Sequence, residues 1–405
     1  MQIDYDVLVV GGGAAGFFTA INIAQKDASL KIAILERGKD VLQKVKVSGG
    51  GRCNVTHACF DPKELTQYYP RGEKELLGPF HQFCCGDTFA WFEELGITLK
   101  IEEDGRVFPS TDSSQTIIDC FLKEVKKYNI EVLNNQAMLD FTKENDTWLV
   151  TTKSDVFKAT SLVIAAGSSP KLWKIIKSKG HNIINPVPSL FTFNIKDKRL
   201  EDIPGVVAQD VTVKVLDTNL ESTGPLLITH WGLSAPSILK LSAWGARILA
   251  DMKYNFNISI NFINMPTSNC LTELRTLKQE MAKNLVIKYN QFEIPKRLWR
   301  KLVAAANISK TTRWADLSKN EIESFANQLT NAVFKVDGKS TFKEEFVTAG
   351  GIDLKEINFK RFESRMHENL FFAGEVLNID AITGGFNFQN AWTGGDIIAK
   401  AICNS

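Results

Sequence analysis

Three glycines, Gly11, Gly13 and Gly16, stand in the spacing G-x-G-x-x-G directly after the apolar run Val7 to Val10, and Glu36 closes the next apolar run, Ile32 to Leu35. Each position has its own task in holding a dinucleotide. Gly11 permits a tight turn, Gly13 lets backbone approach a pyrophosphate, and Gly16 lets the following helix pack close to the strand. Ala14 and Ala15 then fall in the first turn of that helix, whose N-terminus favours an anion. The Glu36 carboxylate suits a pair of ribose hydroxyls. An acid at 36, where a 2′-phosphate would want a cation, points to FAD or NAD(H) and away from NADP(H).

A second glycine cluster, Gly49, Gly50 and Gly51, sits between Ser48 and the run Arg52, Cys53, Asn54. Such a loop can crowd backbone N–H groups around an anionic or polar group. Cys53 has two readings. Beside the Arg52 cation its thiol pKa would fall, fitting it to donate a proton to carbon; otherwise it is a buried, inert cysteine. His230, in Ile228-Thr-His-Trp-Gly-Leu-Ser234, reads as a base or substrate contact, or as a satisfied histidine ending a strand. His57 is a weaker candidate, and His181 and His367 are expected at the surface. Cys84 and Cys85 are expected to be structural, because adjacent cysteines bridge only under strain. The seven cysteines show no CxxC and no zinc spacing, so no metal is expected.

Around these residues the elements read as follows. Val7 to Val10, a helical stretch with Ala14, Phe17, Ile21 and Ala24 at helical spacing, and Ile32 to Leu35 form a β-α-β unit. Leu162 to Ala165 and Leu370 to Phe372 read as further buried strands, each ending in small residues before a loop. Between them the pattern changes. Val211, Val213 and Val215 alternate with polar residues, as do Tyr254, Phe256, Ile258, Ile260 and Phe262, which predicts antiparallel sheet. Leu271, Leu274, Leu277, Met281 and Leu285 predict a helix, Pro295 opens another, and Ser318 with Glu321 forms a capping box for a third. The expected organisation is a discontinuous dinucleotide domain (1–189 and 346–405), a β-barrel-like insertion (190–268 with 336–345) and a helical insertion (269–335).

Charge is nearly balanced over the 405 residues, at +2, so the whole chain advertises neither nucleic acid nor an anionic membrane. Residues 270–345 differ, with fourteen Lys/Arg against nine Asp/Glu. There Lys296, Arg297, Arg300 and Lys301 share one helix face, either a solvated surface or a contact for RNA phosphates. The acidic start, Asp4 and Asp6, does not look like an export signal, and Ser222 to Leu239 is too interrupted for a bilayer span, so a cytoplasmic protein is expected.

Five blocks together resemble one known family: Asp6 to Gly16, Lys46 to His57, Asp104 to Pro109, Thr229 to Ser234, and Phe372 to Asp380 with Thr383 to Gln389. They are similar to the bacterial NAD(P)/FAD-dependent oxidoreductases of aminoacetone-oxidase-like type, some relatives of which look like ribosomal RNA dihydrouridine synthases. The resemblance implies a Rossmann-like, glutathione-reductase-type FAD domain carrying a β-barrel subdomain and a small helical subdomain. It also implies that Ser48, Gly50, Gly51, Arg52, Cys53 and Asn54 wrap FAD, with Arg52 and Asn54 near the pyrophosphate or isoalloxazine. Arg37, Lys44, Ala137, Ala166, Gly167, Gly374 and Glu375 complete the implied cofactor shell. Thr383-Gly-Gly385 would aim a helix N-terminus at the flavin pyrimidine, with Asp380, Gly385, Phe386 and Asn387 along that edge.

No second G-x-G-x-x-G occurs between 100 and 345, so any NAD(P)H must bind transiently in a less recognisable cleft. Three functions stay open at this stage. NAD(P)H reduces the flavin, which saturates a carbon–carbon double bond, with uridine in ribosomal RNA as one candidate substrate. Alternatively a small amine or amino-ketone is oxidised with oxygen as acceptor, or the protein is a non-enzymatic flavin-binding redox sensor.

Overall fold

The computed structural model describes residues 3–288, 290–340 and 347–404. They group into two compact units, Met1–Val187 with Lys343–Ser405, and Pro188–Phe342. The expected junction at 345 and 346 lies outside the described residues.

In the first unit five parallel strands lie side by side in the order Leu370–Phe372, Val156–Ile164, Tyr5–Val10, Ile32–Leu35 and Glu131–Leu133. Val9 stands opposite both Ile34 and Val163, and all three are fully buried. The central runs Val7–Val10, Ile32–Leu35, Leu162–Ile164 and Leu370–Phe372 are buried on both faces, which is why they show no alternation. The hairpin Asp140–Glu144 and Thr147–Thr151 extends the sheet antiparallel from Val156–Ile164.

The helix Ala14–Lys26 packs against the C-terminal helix Phe386–Cys403. A side chain at Gly395 would come within 3.0 Å of Phe18 and Thr19, so glycine sets how closely the two helices meet. Phe18 lies 4.6 Å from Trp91 and 5.0 Å from Trp392, ring centre to ring centre. The Trp392 indole N–H donates to the Val55 carbonyl at 2.9 Å, tying this aromatic core to the second glycine loop.

The second unit is built on an antiparallel sheet. Its order is Ala332–Asp337, Asn255–Asn261, Val207–Val215, Glu221–Ile228, Gly232–Ser234, Thr192–Asn194 and Lys339–Ser340. The first and last pieces are one run of chain bent at Gly338 (φ +104°). The Gly338 N–H donates to Tyr254 at 2.8 Å while its carbonyl accepts from Asn194 at 3.0 Å. The expected β-barrel-like insertion is therefore a sheet whose edges meet through a bend, not through a further ladder among the described residues. Val211, Val213 and Val215 point into its core.

The helices beside it are Thr267–Glu280, Lys296–Ala305 and Lys319–Thr330. The first is shorter than expected. It buries Cys270, Leu274 and Leu277 and stops at Glu280, while Leu285 forms an isolated bridge to Arg313. The capping box forms, with Ser318 N–H donating to Glu321 at 2.8 Å and Glu321 N–H donating to the Ser318 hydroxyl at 3.2 Å. Among the described residues no helix is long and apolar enough to cross a membrane.

Candidate functional site

The three fingerprint glycines differ in what surrounds them. A Cβ at Gly11 (φ +119°) would stand 2.5 Å from the Ala165 carbonyl oxygen, and one at Gly16 would stand 2.0 Å from the Gly11 carbonyl. Both are closed by packing. A Cβ at Gly13 would meet nothing within 4 Å, so the backbone there faces open space at the start of helix Ala14–Lys26. That helix has neither a side-chain cap nor an acid in its first turn, leaving its N-terminal N–H groups and dipole available to an anion.

Glu36 accepts from Gly12 N–H at 2.9 Å through one oxygen and from Gly38 N–H at 2.7 Å through the other. A carboxylate has about four acceptor positions, so roughly two remain for a ribose diol. Gln136, beside Ala137, donates its N–H to the Glu36 carbonyl at 2.8 Å, placing Ala137 against the same segment. Arg37 is exposed. These residues fit the nucleotide end of FAD.

The second glycine cluster is a left-handed run: Gly49, Gly50 and Gly51 have φ of +58°, +70° and +87°. It interrupts a short helix that begins at Gln43. Side chains at Gly50 and Gly51 would meet nothing within 4 Å, whereas one at Gly49 would press on Phe108 and Asn54. The Ser48 hydroxyl donates to Val45, and Cys53 N–H closes the loop onto the Ser48 carbonyl at 3.0 Å. At the neighbouring strand ends, Lys44 pairs with Glu375, which lies beside Gly167. Gly374 sits against Ala15, and the half-buried Ala166 adjoins Gly11.

Four of the residues expected along the flavin have partners within the protein. The Arg52 guanidinium holds Glu102 at 2.6 Å and Asp112 at 3.4 Å and lies 3.9 Å over the Phe108 ring. The Asn54 amide lies between the carbonyls of Thr56 and Val107 and the N–H of Gly385. Its nitrogen turned to the carbonyls and its oxygen to Gly385 satisfies all three. Asp380 is fully buried and forms a bidentate pair with Arg71. The Asn387 amide accepts from Ala381 N–H at 3.0 Å and donates to the Ala381 carbonyl at 3.2 Å. These pairings fix the shape of the loops that carry them.

Gly385 (φ +92°) precedes helix Phe386–Cys403, whose first turn also lacks an acid and a side-chain cap. A Cβ at Gly385 would stand 2.5 Å from the Thr56 carbonyl, so this helix start touches the end of the second glycine loop. Phe386 stacks on Tyr68 (4.3 Å) and His57 (4.6 Å), and Tyr69 donates its hydroxyl to the Phe386 carbonyl at 2.6 Å. Tyr68, Tyr69 and Arg71 escape a local reading because their partners lie more than three hundred residues away.

Of the two readings of Cys53, the lowered thiol pKa beside Arg52 does not match its surroundings. It is fully buried, and desolvation pushes its thiol up to about 12. The Ser48 side chain, hydrogen-bonded to it, opposes that rise only in part. His230 is exposed in the second unit, on a turn closed by Thr229 N–H donating to Gly232 at 2.8 Å. His181, expected at the surface, is instead buried. Cys84 caps helix Cys85–Glu94, and the Cys85 thiol hydrogen-bonded to it holds its pKa below the ordinary value.

A doubly wound parallel sheet, an open anion cradle after its first strand, a carboxylate after its second and a bare helix start beside a left-handed glycine loop define an FAD-dependent oxidoreductase. The chain matches the HI0933-like protein Rossmann domain over residues 5–401 and belongs to that family. It is 27% identical over 409 residues to a ribosomal RNA dihydrouridine synthase of Haemophilus influenzae, covering 98% of both chains. It is 23% identical to a 3-dehydro-bile acid delta(4,6)-reductase of Clostridium scindens, covering 97% of this chain and 98% of that one. Its fold resembles that of the 3-ketosteroid-delta4-(5alpha)-dehydrogenase of Rhodococcus jostii (TM-score 0.52, 10% identity, 100% and 98% of the two chains).

Proposed function

We propose that this flavoenzyme saturates a carbon–carbon double bond with electrons from NAD(P)H, and that its substrate is uridine in ribosomal RNA. The observation that carries the reductive reading is the start of helix Phe386–Cys403. With no acid and no cap in its first turn, it is an electropositive terminus set against Asn54 and Thr56, just past the second glycine cluster. Such a terminus favours negative charge accumulating beside it, as a reduced flavin requires. FAD, when bound, supplies the atom that passes hydride to an electron-poor carbon.

The chain's own residues supply binding and protons. Gly13 and the first turn of Ala14–Lys26 hold the pyrophosphate, Glu36 holds the ribose, and the Gly50–Gly51 backbone approaches the ring system. His230 is the proposed proton source for the second carbon, since it is exposed while Cys53 is enclosed. The double bond follows from the relatives' names, a dihydrouridine synthase and a delta(4,6)-reductase. The RNA substrate follows from the former together with the basic character of residues 270–345.

The test is anaerobic. NADPH or NADH is mixed with the flavin-loaded protein, and unmodified ribosomal RNA is then added. Bleaching of the flavin absorbance by one nucleotide, its return on adding RNA, and a gain of two hydrogens on uridine by mass spectrometry are expected. Failure of both nucleotides to bleach the flavin would reject the reductase reading. Bleaching by amines with peroxide as product would install the oxidase in its place.

A further inference from the structure

Helices Thr267–Glu280 and Lys319–Thr330 pack together in the second unit and border a groove of about 420 Å³. It is lined by Arg275, Lys278, Gln279 and Lys319 together with Ala315 and Ile322. The arrangement follows from helical spacing. Arg275, Lys278 and Gln279 are three and four residues apart and so share one face, while Lys319 and Ile322 stand one turn apart on the facing helix.

The positive charge of the groove is only partly offset. Lys319 lies 3.9 Å from Glu323 in an exposed pair, which high dielectric makes weak. Lys278 donates to the Leu317 carbonyl, which orients the ammonium without cancelling its charge. Glu321 is turned to the Ser318 cap and also acts on the Lys278 charge, offsetting part of it. The helix Lys296–Ala305 compares poorly. Arg297 donates to the Asp202 carbonyl and Lys301 lies 4.0 Å from the Asp202 carboxylate, so half of that basic stripe is engaged within its own unit.

We propose that this groove binds the phosphodiester backbone of single-stranded RNA. Arg275, Lys278 and Lys319 contact phosphates, and the Gln279 amide reaches a sugar hydroxyl. Three cations lining one groove suit a phosphate backbone, whose contacts give affinity without reading sequence. The inference rests on the RNA substrate proposed above and adds to it the surface that holds the RNA.

The test is fluorescence anisotropy of a labelled single-stranded RNA oligonucleotide with flavin-loaded protein, across a salt series. Arg275→Glu with Lys319→Glu is compared with Lys123→Glu plus Lys153→Glu, an equal charge change on exposed lysines of the other unit. Each lost phosphate contact on a single strand lowers the slope of log affinity against log salt by about 0.7. The groove variant is therefore expected to lose about 1.4 of slope and at least about tenfold in affinity at moderate salt, with the control within about twofold of wild type. Arg275→Gln with Lys319→Gln should fall between the two, and flavin content should not change. Equal losses in groove and control variants, or an unchanged groove variant beside a wild type that binds, would overturn the groove and leave the RNA substrate standing. A wild type with no salt-dependent RNA binding would overturn both and leave the flavin reductase intact.

Discussion

Glu36 uses both oxygens to hold the backbone of its own turn, at Gly12 and Gly38, so it organises the nucleotide site before any ligand arrives. Glu36→Arg removes that organiser and sets a cation where ribose hydroxyls need acceptors. Loss of charge-assisted hydrogen bonds of about 1.5–3 kcal/mol each predicts at least tenfold weaker FAD binding. The check is the flavin-to-protein absorbance ratio after purification; a fully yellow variant would disprove the ribose assignment. Cys53 and His230 separate by the same kind of reasoning. Cys53→Ser changes a buried thiol that touches no solvent and should leave turnover within about threefold, since the residue serves the loop and not the reaction. His230→Gln should slow the step that consumes substrate by about a hundredfold, typical of losing a general acid, while NAD(P)H still bleaches the flavin at the wild-type rate. Stopped-flow measurement of the two half-reactions distinguishes these outcomes. A slowed first half-reaction would instead assign His230 to nucleotide binding.

At the scale of elements, the β-α-β unit was legible because each glycine's task is settled by neighbours within the fingerprint and by the next strand. The roles of Arg52 and Asp380 were not, because their partners lie 50 and 309 residues away and only the folded chain brings them together. The same applies to the clamp at His181. Its Nδ1 faces Glu356 at 2.9 Å and its Nε2 faces the Ser364 hydroxyl at 3.2 Å, and that hydroxyl accepts from the N–H groups of Met366 and His367. A neutral imidazole with its proton on Nδ1 satisfies every group, since the serine then donates to Nε2. Burial holds the His181 pKa below its ordinary value, with Glu356 opposing in part. The unfolded chain therefore takes up this proton more readily. The clamp's contribution is complete above about pH 6.5 and is lost as pH falls, by at most about 1.4 kcal/mol per pH unit. Urea midpoints of the wild type should drop between about pH 7 and pH 5 more steeply than those of His181→Gln. Parallel curves would show that the histidine does not titrate with unfolding.

For the molecule as a whole, the discontinuity of the flavin unit has a simple topological basis. The second unit leaves and rejoins the chain at neighbouring strands, where Thr192 pairs with Ser340 and Phe193 with Lys339. Its core is drawn from its own sheet and helices, including Phe193, Val213, Ile258, Trp299 and Phe334. The switch from unalternating strands to period two marked this unit in the sequence. The bend at Gly338 was not legible, because nothing local tells a turn between strands from one strand changing partners. Ends held side by side mean that a short linker can replace the insertion without stretching the rest. Replacing residues 188–342 by a short Gly/Ser linker should therefore give a folded yellow protein, since the Gly11–Gly16 fingerprint, Glu36, the Gly49–Gly51 loop and helix Phe386–Cys403 all lie in the remaining unit. It should have lost RNA binding and substrate turnover, because His230 and the basic groove go with the insertion. Flavin absorbance, a cooperative melt and RNA anisotropy on the same preparation check this. A colourless but folded product would show that the insertion supplies part of the FAD site, and retained RNA binding would move the RNA surface to the flavin unit.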